Sequence, residues 1–307
     1  MRILVVGAGG IGGYFGGRLA AAGRDVTFLV RPKRAETLLL NGLSIRSPLG
    51  DAHIAQPRLV TSDRISEVFD LVLLGCKAYD IDDAIASLAP AVGPETAVLP
   101  TLNGMAHLDR LEQQFGAQAV LGGTCFISTT IAPDGAILHM NDTHRLSFGE
   151  RAGGLSARID AIAGVMADAG FQAEVSANIM QSMWDKWVFI ASSAGMTCLM
   201  RSAIGDYVAA GASDVALQLI DECASVAAGQ GFALDAAALE RIRGMMTMAG
   251  SSITTSMLRD IEAGARIEAE QIIGDMIIRS GTRPPLLSLI HAHLRAYEIR
   301  REREGSR

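Results

Sequence analysis

A single lysine stands out in the stretch SMWDKWVFIASSAG, residues 182–195. Lys186 lies between Trp184 and Trp187, and no further charge follows before Arg201. At helical spacing its face continues through Ile190, Ser193, Ala194 and Thr197, which is apolar and small. Two readings of such a cation stand side by side. The side chain can lay its methylenes on apolar surface and carry the ammonium out to water. Alternatively the ammonium stays in a dry pocket, where desolvation makes it a readier proton donor and its charge can meet an oxyanion. Reduction of a ketone by hydride transfer calls for such a group, because negative charge builds on the carbonyl oxygen as hydride arrives.

A second pattern, VVGAGGIGG, points to a nucleotide. Gly7, Gly9 and Gly12 form G-x-G-x-x-G directly after an apolar run and at the head of a helical one. Gly7 permits a tight turn, Gly9 lets backbone approach a pyrophosphate, and Gly12 allows close helix packing. The helix N-terminus adds free N–H groups and a positive dipole end. An acid about 20 residues further on would bind the ribose of NAD. That place holds Arg31, followed by Lys33 and Arg34. A guanidinium takes a 2′-phosphate by charge-assisted hydrogen bonds, so NADP (as NADPH) is expected over NADH. The plainer alternatives are a glycine-rich turn without a ligand and a solvated basic loop.

These residues need elements to hold them. Runs at 2–7, 25–30, 71–75 and 96–100 read as strands buried on both faces, with helical patterns at 11–22, 81–88 and 107–115. This is the sequence form of a doubly wound parallel sheet. The segment 124–150 reads as antiparallel strands that extend that sheet. Beyond it the patterns turn helical, near 180–200, 211–229, 235–249, 255–280 and 285–301. The expected architecture is an α/β Rossmann-type doubly wound domain over 1–176, followed by an all-α helical domain over 177–307. The tail REREGSR is expected to be frayed. Asn103 precedes Gly104, a turn signal, but it also follows the strand TAVLP, where ligands of open α/β sheets gather. Lys77 follows LVLLGC in the same way and could equally be an exposed loop lysine.

Composition narrows the partners. A net charge of −6 with scattered basic residues gives no reason to expect nucleic acid. Cys76, Cys125, Cys198 and Cys223 form no C-x-x-C pair, which suits reduced thiols in a cytoplasmic protein and no zinc framework. His291 and His293 are two apart on a helical pattern and do not face each other, so no metal is expected. The uncharged run Trp187 to Met200 is shorter than the roughly 18 apolar residues that suggest a membrane span. No membrane partner is expected, and a homodimer is left open.

Together the motifs resemble the ketopantoate reductase (2-dehydropantoate 2-reductase) family. The likeness runs through ILVVGAGGIGGYFGGRLAAAGRDVTFLVR, LLGCKAYD, LPTLNGM, the segment around Lys186 and TSMLRDIEAGARIEAEQIIG from residue 255. It implies a Rossmann domain joined to a helical one, with NADPH and a 2-keto acid meeting in the cleft. Lys186 matches the family's catalytic lysine, Asn103 its active-site asparagine, and Ser256 and Glu268 its substrate-binding pair. Lys77 matches the lysine on the cofactor side, and Arg31 the arginine at the 2′-phosphate. The family default is reduction of 2-dehydropantoate to pantoate, a step of pantothenate biosynthesis. Where members close to the ketopantoate enzyme carry asparagines four and eight residues after the lysine, this chain has Ile190 and Ala194. A less polar keto substrate, or an NADPH-binding regulator without turnover, are the alternatives.

Overall fold

The computed structural model describes residues 1–305, and the chain divides into two compact units. One comprises Met1–Leu102 with His107–Met180, and the other Asn103–Ala106 with Gln181–Arg307.

The first unit is built on β1 (Arg2–Val6), α1 (Gly10–Ala21), β2 (Asp25–Leu29), α2 (Pro32–Asn41), β3 (Leu43–Arg46), β4 (Ala52–Ile54), β5 (Arg58–Val60), β6 (Phe69–Leu74), α3 (Ile81–Leu88) and β7 (Val92–Pro100). Five strands form an all-parallel sheet in the order β5-β2-β1-β6-β7. Val5 sits beside Phe28 on one side and Leu73 on the other. All three are fully buried, which is why these strands read as unbroken apolar runs. The order reverses at β1, whose neighbours β2 and β6 lead the chain in opposite directions. That switch point is where open α/β sheets place ligands.

After α4 (Ala106–Phe115), the strands β8 (Gly122–Phe126), β9 (Thr129–Ile131), β10 (Ile137–His139) and β11 (Arg145–Gly149) precede α5 (Ala157–Met166) and β12 (Gln172–Val175). The expectation that they extend the parallel sheet is corrected here. They belong to two separate small sheets, β4-β3-β10-β9 and β12-β11-β8. The reason is visible at the edge of β7. Val98 donates to Ala119 and accepts from Leu121, one parallel bridge. The next donor on that side would be Pro100, which has no N–H, and the ladder stops.

The second unit is helical: α6 (Ile179–Met200), α7 (Ile204–Ala209), α8 (Ser213–Gly229), α9 (Ala236–Met246), α10 (Ser256–Glu262), α11 (Asp275–Ser280) and α12 (Pro285–Gly305). From Ala191 to Cys198 every residue of α6 is buried, so this helix is a core element with no solvated face there. Ser192 and Thr197 return their hydroxyls to the carbonyls of Val188 and Ser193, at 2.8 and 2.7 Å, which makes them tolerable inside. A Cβ on Gly195 would lie 3.0 Å from Leu219 of α8 and 3.1 Å from Ile290 of α12, so the glycine lets both helices close on α6. Glu222 of α8 caps α12 by accepting from the N–H groups of Leu286 and Leu287.

The expected helix over 255–280 is in fact two. Gly264, at φ +69, ends α10: its N–H returns to Ile261 and that of Ala265 to Asp260. This is a Schellman cap. The chain is then non-helical to Glu268 before helix resumes through a π-turn, Glu270–Gly274, into α11. The tail is corrected too, since residues 301–305 continue α12; 306 and 307 lie outside the described residues.

Candidate functional site

In the first unit three glycines meet at the switch point. Gly7 takes φ +91 and turns the chain from β1 into α1. A Cβ on Gly12 would fall 2.2 Å from the Gly7 carbonyl, and one on Gly75 would fall 2.7 Å from Gly12, so α1 packs directly on the ends of β1 and β6. Gly75 was not singled out from sequence, where it served only to mark the end of a strand. Gly9 differs from these, because a Cβ there would meet nothing within 4 Å. Its absence leaves open the approach to the N-terminus of α1, whose first turn holds no acidic side chain. An open approach, free N–H groups and a positive dipole end fit a pyrophosphate.

The basic cluster 31–34 is not one solvated loop. Arg34 turns inward, donating from Nε to Ala8 of the glycine loop and from Nη1 to Gly135, each at 3.1 Å. Burial lowers its pKa from the usual arginine value. Arg34 therefore holds the loop's shape. Arg31 is the N-cap residue of α2 and points outward, its side chain 68% exposed, with Nη2 3.1 Å from Asp80 and 3.7 Å from Asp83. Lys77, half-buried, is the N-cap residue of a short 3-10 turn after β6, Ala78–Asp80.

In the second unit Lys186 is half-buried on α6, and the face predicted for it is there. Ile190 is half-buried, whereas Ser193, Ala194 and Thr197 are covered at 2%, 3% and 0% exposure. Thr197 shares a hydrogen bond with Thr255, at 2.9 Å. Thr197 lies about three turns along the face from Lys186, and its bond to Thr255 docks the start of α10 on α6. Thr255, not Ser256, caps α10, accepting from Leu258 N–H; Ser256 is the first helical residue and is exposed. Glu268 is 8% exposed and lies outside any helix, in the break within the expected helix over 255–280.

The π-turn draws these parts together. Glu268 accepts, through its main-chain oxygen, from Ile272 N–H, and Ile272 in turn accepts the indole N–H of Trp187 at 3.0 Å. Gly104, at φ +77, packs so closely on the carbonyl of Gln271 that a Cβ would lie 2.4 Å from it. The half-buried Asn103 is thereby seated beside the same turn. Asn103, Lys186 and Glu268 each stand next to or within four residues of a residue bonded to or packed on this turn. Trp187 was read from sequence only as an apolar flank. A π-turn leaves carbonyls outside the helical ladder, and no spacing rule names the indole that takes one up.

A parallel sheet with a glycine loop at its switch point, followed by a helical unit around a lysine-bearing core helix, defines a Rossmann-type dinucleotide-binding protein with a second, helical domain. The chain belongs to the ketopantoate reductase family of keto-acid oxidoreductases: the model of Ketopantoate reductase PanE/ApbA matches residues 3–153 and that of its C-terminal part residues 178–298. It is 37% identical over 302 residues to the Uncharacterized oxidoreductase YkpB of Bacillus subtilis (strain 168), covering 97% of this chain and 99% of that one. It is 30% identical over 278 residues to the 2-dehydropantoate 2-reductase of Archaeoglobus fulgidus, covering 90% of each. The crystal structure of 2-dehydropantoate 2-reductase from Methylococcus capsulatus matches with a TM-score of 0.86 at 28% identity, over 98% of each chain.

Proposed function

We propose that the chain reduces the ketone of a 2-keto acid to the 2-hydroxy acid with NADPH, the family's reaction being 2-dehydropantoate to pantoate. The observation that carries this reading is the setting of Lys186. It sits at the head of an apolar, small-residue face of a core helix, one residue from an indole fixed to the turn after Glu268. A bound nicotinamide supplies the hydride that reaches C2 of the keto acid. The glycine loop and the N-terminus of α1 hold the pyrophosphate, Arg31 takes the 2′-phosphate, and Lys77 lines the cofactor's side. Lys186 offsets the charge that grows on the carbonyl oxygen and then transfers a proton from Nζ to it. Asn103 orients the carbonyl or the ammonium, while Ser256 and Glu268 hold the polar groups of the substrate.

A second reading within the same chemistry is favoured by Ile190 and Ala194. Neither side chain can hydrogen-bond a substrate hydroxyl, which suits a keto acid less polar than 2-dehydropantoate. A panel of 2-keto acids, assayed by the loss of NADPH absorbance, tests both. Turnover of any of them supports the reductase, and the ranking of substrates decides between the readings. NADPH binding with no oxidation by any keto acid would instead leave a cofactor-binding regulator.

A further inference from the structure

Arg31 leaves the end of β2 and Asp80 the turn after β6, the two strands that flank β1. Their ion pair, Nη2 to Oδ1 at 3.1 Å, therefore bridges the two sides of the switch point at which the glycine loop begins. Asp83 stands behind at 3.7 Å. A carboxylate and a guanidinium at this place have opposite preferences. A carboxylate accepts from a ribose 2′-hydroxyl and repels a 2′-phosphate; a guanidinium does the reverse. In this chain the two are in contact, so a phosphate that engages Arg31 does so beside a carboxylate that already holds it.

We infer that Asp80 is a specificity-determining residue for the cofactor, opposing Arg31 and narrowing the margin by which the chain prefers NADPH to NADH. The inference rests on the proposed dinucleotide site. Asp80 carries more of the effect than Asp83, because its carboxylate is nearer and its side chain is 29% exposed against 83%, so water screens it less. The hydrogen bond that Arg31 donates to Asp80 and the charge of that carboxylate also raise the pKa of Arg31, as expected if the pair is a persistent one. Asp82 is turned elsewhere, to Arg110 at 3.0 Å, and takes no part.

The test is to titrate NADPH and NADH separately into the full chain, following cofactor fluorescence, for the wild type, Asp80→Asn, Asp83→Asn and Arg31→Ala. Asparagine keeps the size and one acceptor oxygen, removes the charge and puts an NH2 donor in place of the second oxygen. Asp80→Asn is expected to raise the ratio Kd(NADH)/Kd(NADPH) about three- to tenfold, Asp83→Asn to raise it less, and Arg31→Ala to lower it. The gap between wild type and Asp80→Asn should shrink as salt is raised toward 1 M, where screening extends only about 3 Å. The pair is exposed, so thermal unfolding should be nearly unchanged in Asp80→Asn. A wild type that binds both cofactors with a ratio that Asp80→Asn leaves alone or lowers overturns the inference and leaves the function standing. A wild type that binds neither overturns the dinucleotide site and the inference with it.

Discussion

Trp187 donates its indole N–H to the carbonyl of Ile272 across 3.0 Å and so ties the helix that carries Lys186 to the π-turn that follows Glu268. The indole is 1% exposed, and so the carbonyl it serves has little access to a replacement from solvent. Trp187→Phe keeps most of the ring and removes the donor. Leaving that carbonyl unpaired should cost about 1–3 kcal/mol of stability. Turnover should fall as the turn loosens, with cofactor affinity retained. Urea unfolding alongside steady-state kinetics checks this; a variant as stable and as active as the wild type would show that the bond positions nothing.

Lys186 is the test of the chemistry itself. Lys186→Ala should fold and bind NADPH normally, since the glycine loop belongs to the other compact unit. Turnover should drop by roughly two to four decades, the usual contribution of a positioned proton donor. Single-turnover absorbance with a saturating keto acid measures it. Near-normal rates would return Lys186 to the role of a lysine that merely reaches for water.

The glycines separate architecture from binding. A methyl on Gly12 collides with the Gly7 carbonyl, so Gly12→Ala should lose about 1–3 kcal/mol of stability as well as cofactor. A methyl on Gly9 meets no protein atom within 4 Å. Gly9→Ala should therefore melt like the wild type and yet bind NADPH more than about tenfold more weakly, a loss of 1.4 kcal/mol or more. Calorimetry and fluorescence titration on the two variants decide the point. Undiminished binding in Gly9→Ala would mean that no phosphate passes close to that backbone.

Much of this was legible in the sequence because the strands of the parallel sheet are buried on both faces and carry unbroken apolar runs. The helix around Lys186 was legible for a similar reason, an uncharged stretch too long for a strand. What escaped were features set by single backbone atoms. The end of the sheet at Pro100 depends on which side of β7 its missing N–H faces. The division of 255–280 was signalled by Gly264, but the apolar spacing on either side reads as one helix. Arg31 and Arg34 are three residues apart and have opposite fates, one outward to Asp80 and one inward to Ala8. Charge in a sequence does not show direction. The pairing with Asp80 joins residues that follow different strands and has no local signature.

A pH dependence follows from the other side of α1. The Tyr14 hydroxyl lies 2.8 Å from His144 Nδ1, and the ring of His139 stacks on that of His144 at 5.8 Å. Burial pushes the His144 imidazole below its usual value, and the neighbouring His139 and Arg18 add to the shift. The unfolded chain therefore takes up a proton at His144 more readily than the folded one. Its share of stability is complete above the unfolded value near 6.5 and is lost as pH falls from there toward the lower folded value. His144→Gln should flatten the fall in melting temperature between about pH 7.5 and 5.5. An unchanged slope in the variant would assign the acid sensitivity to other groups.

On the proposed reaction, substrate choice should turn on Ile190. It lies one turn beyond Lys186 on the same face and is half-buried, whereas Ala194 is covered, so a larger residue at 194 would have to displace its neighbours. A hydroxyl of the substrate facing Ile190 has no partner there, and an unpaired buried hydroxyl costs about 1–3 kcal/mol. Unbranched apolar 2-keto acids should then have a higher kcat/KM than 2-dehydropantoate. Ile190→Asn alone, which leaves the covered position untouched, should shift the ratio of the two toward 2-dehydropantoate by about five- to a hundredfold, the same energy read as a rate ratio. Competition kinetics on wild type and variant measure that ratio directly. A wild type that already turns over 2-dehydropantoate far faster than apolar keto acids would show that polar groups elsewhere on the chain, Ser256 and Glu268 among them, satisfy the hydroxyl without help from this helix.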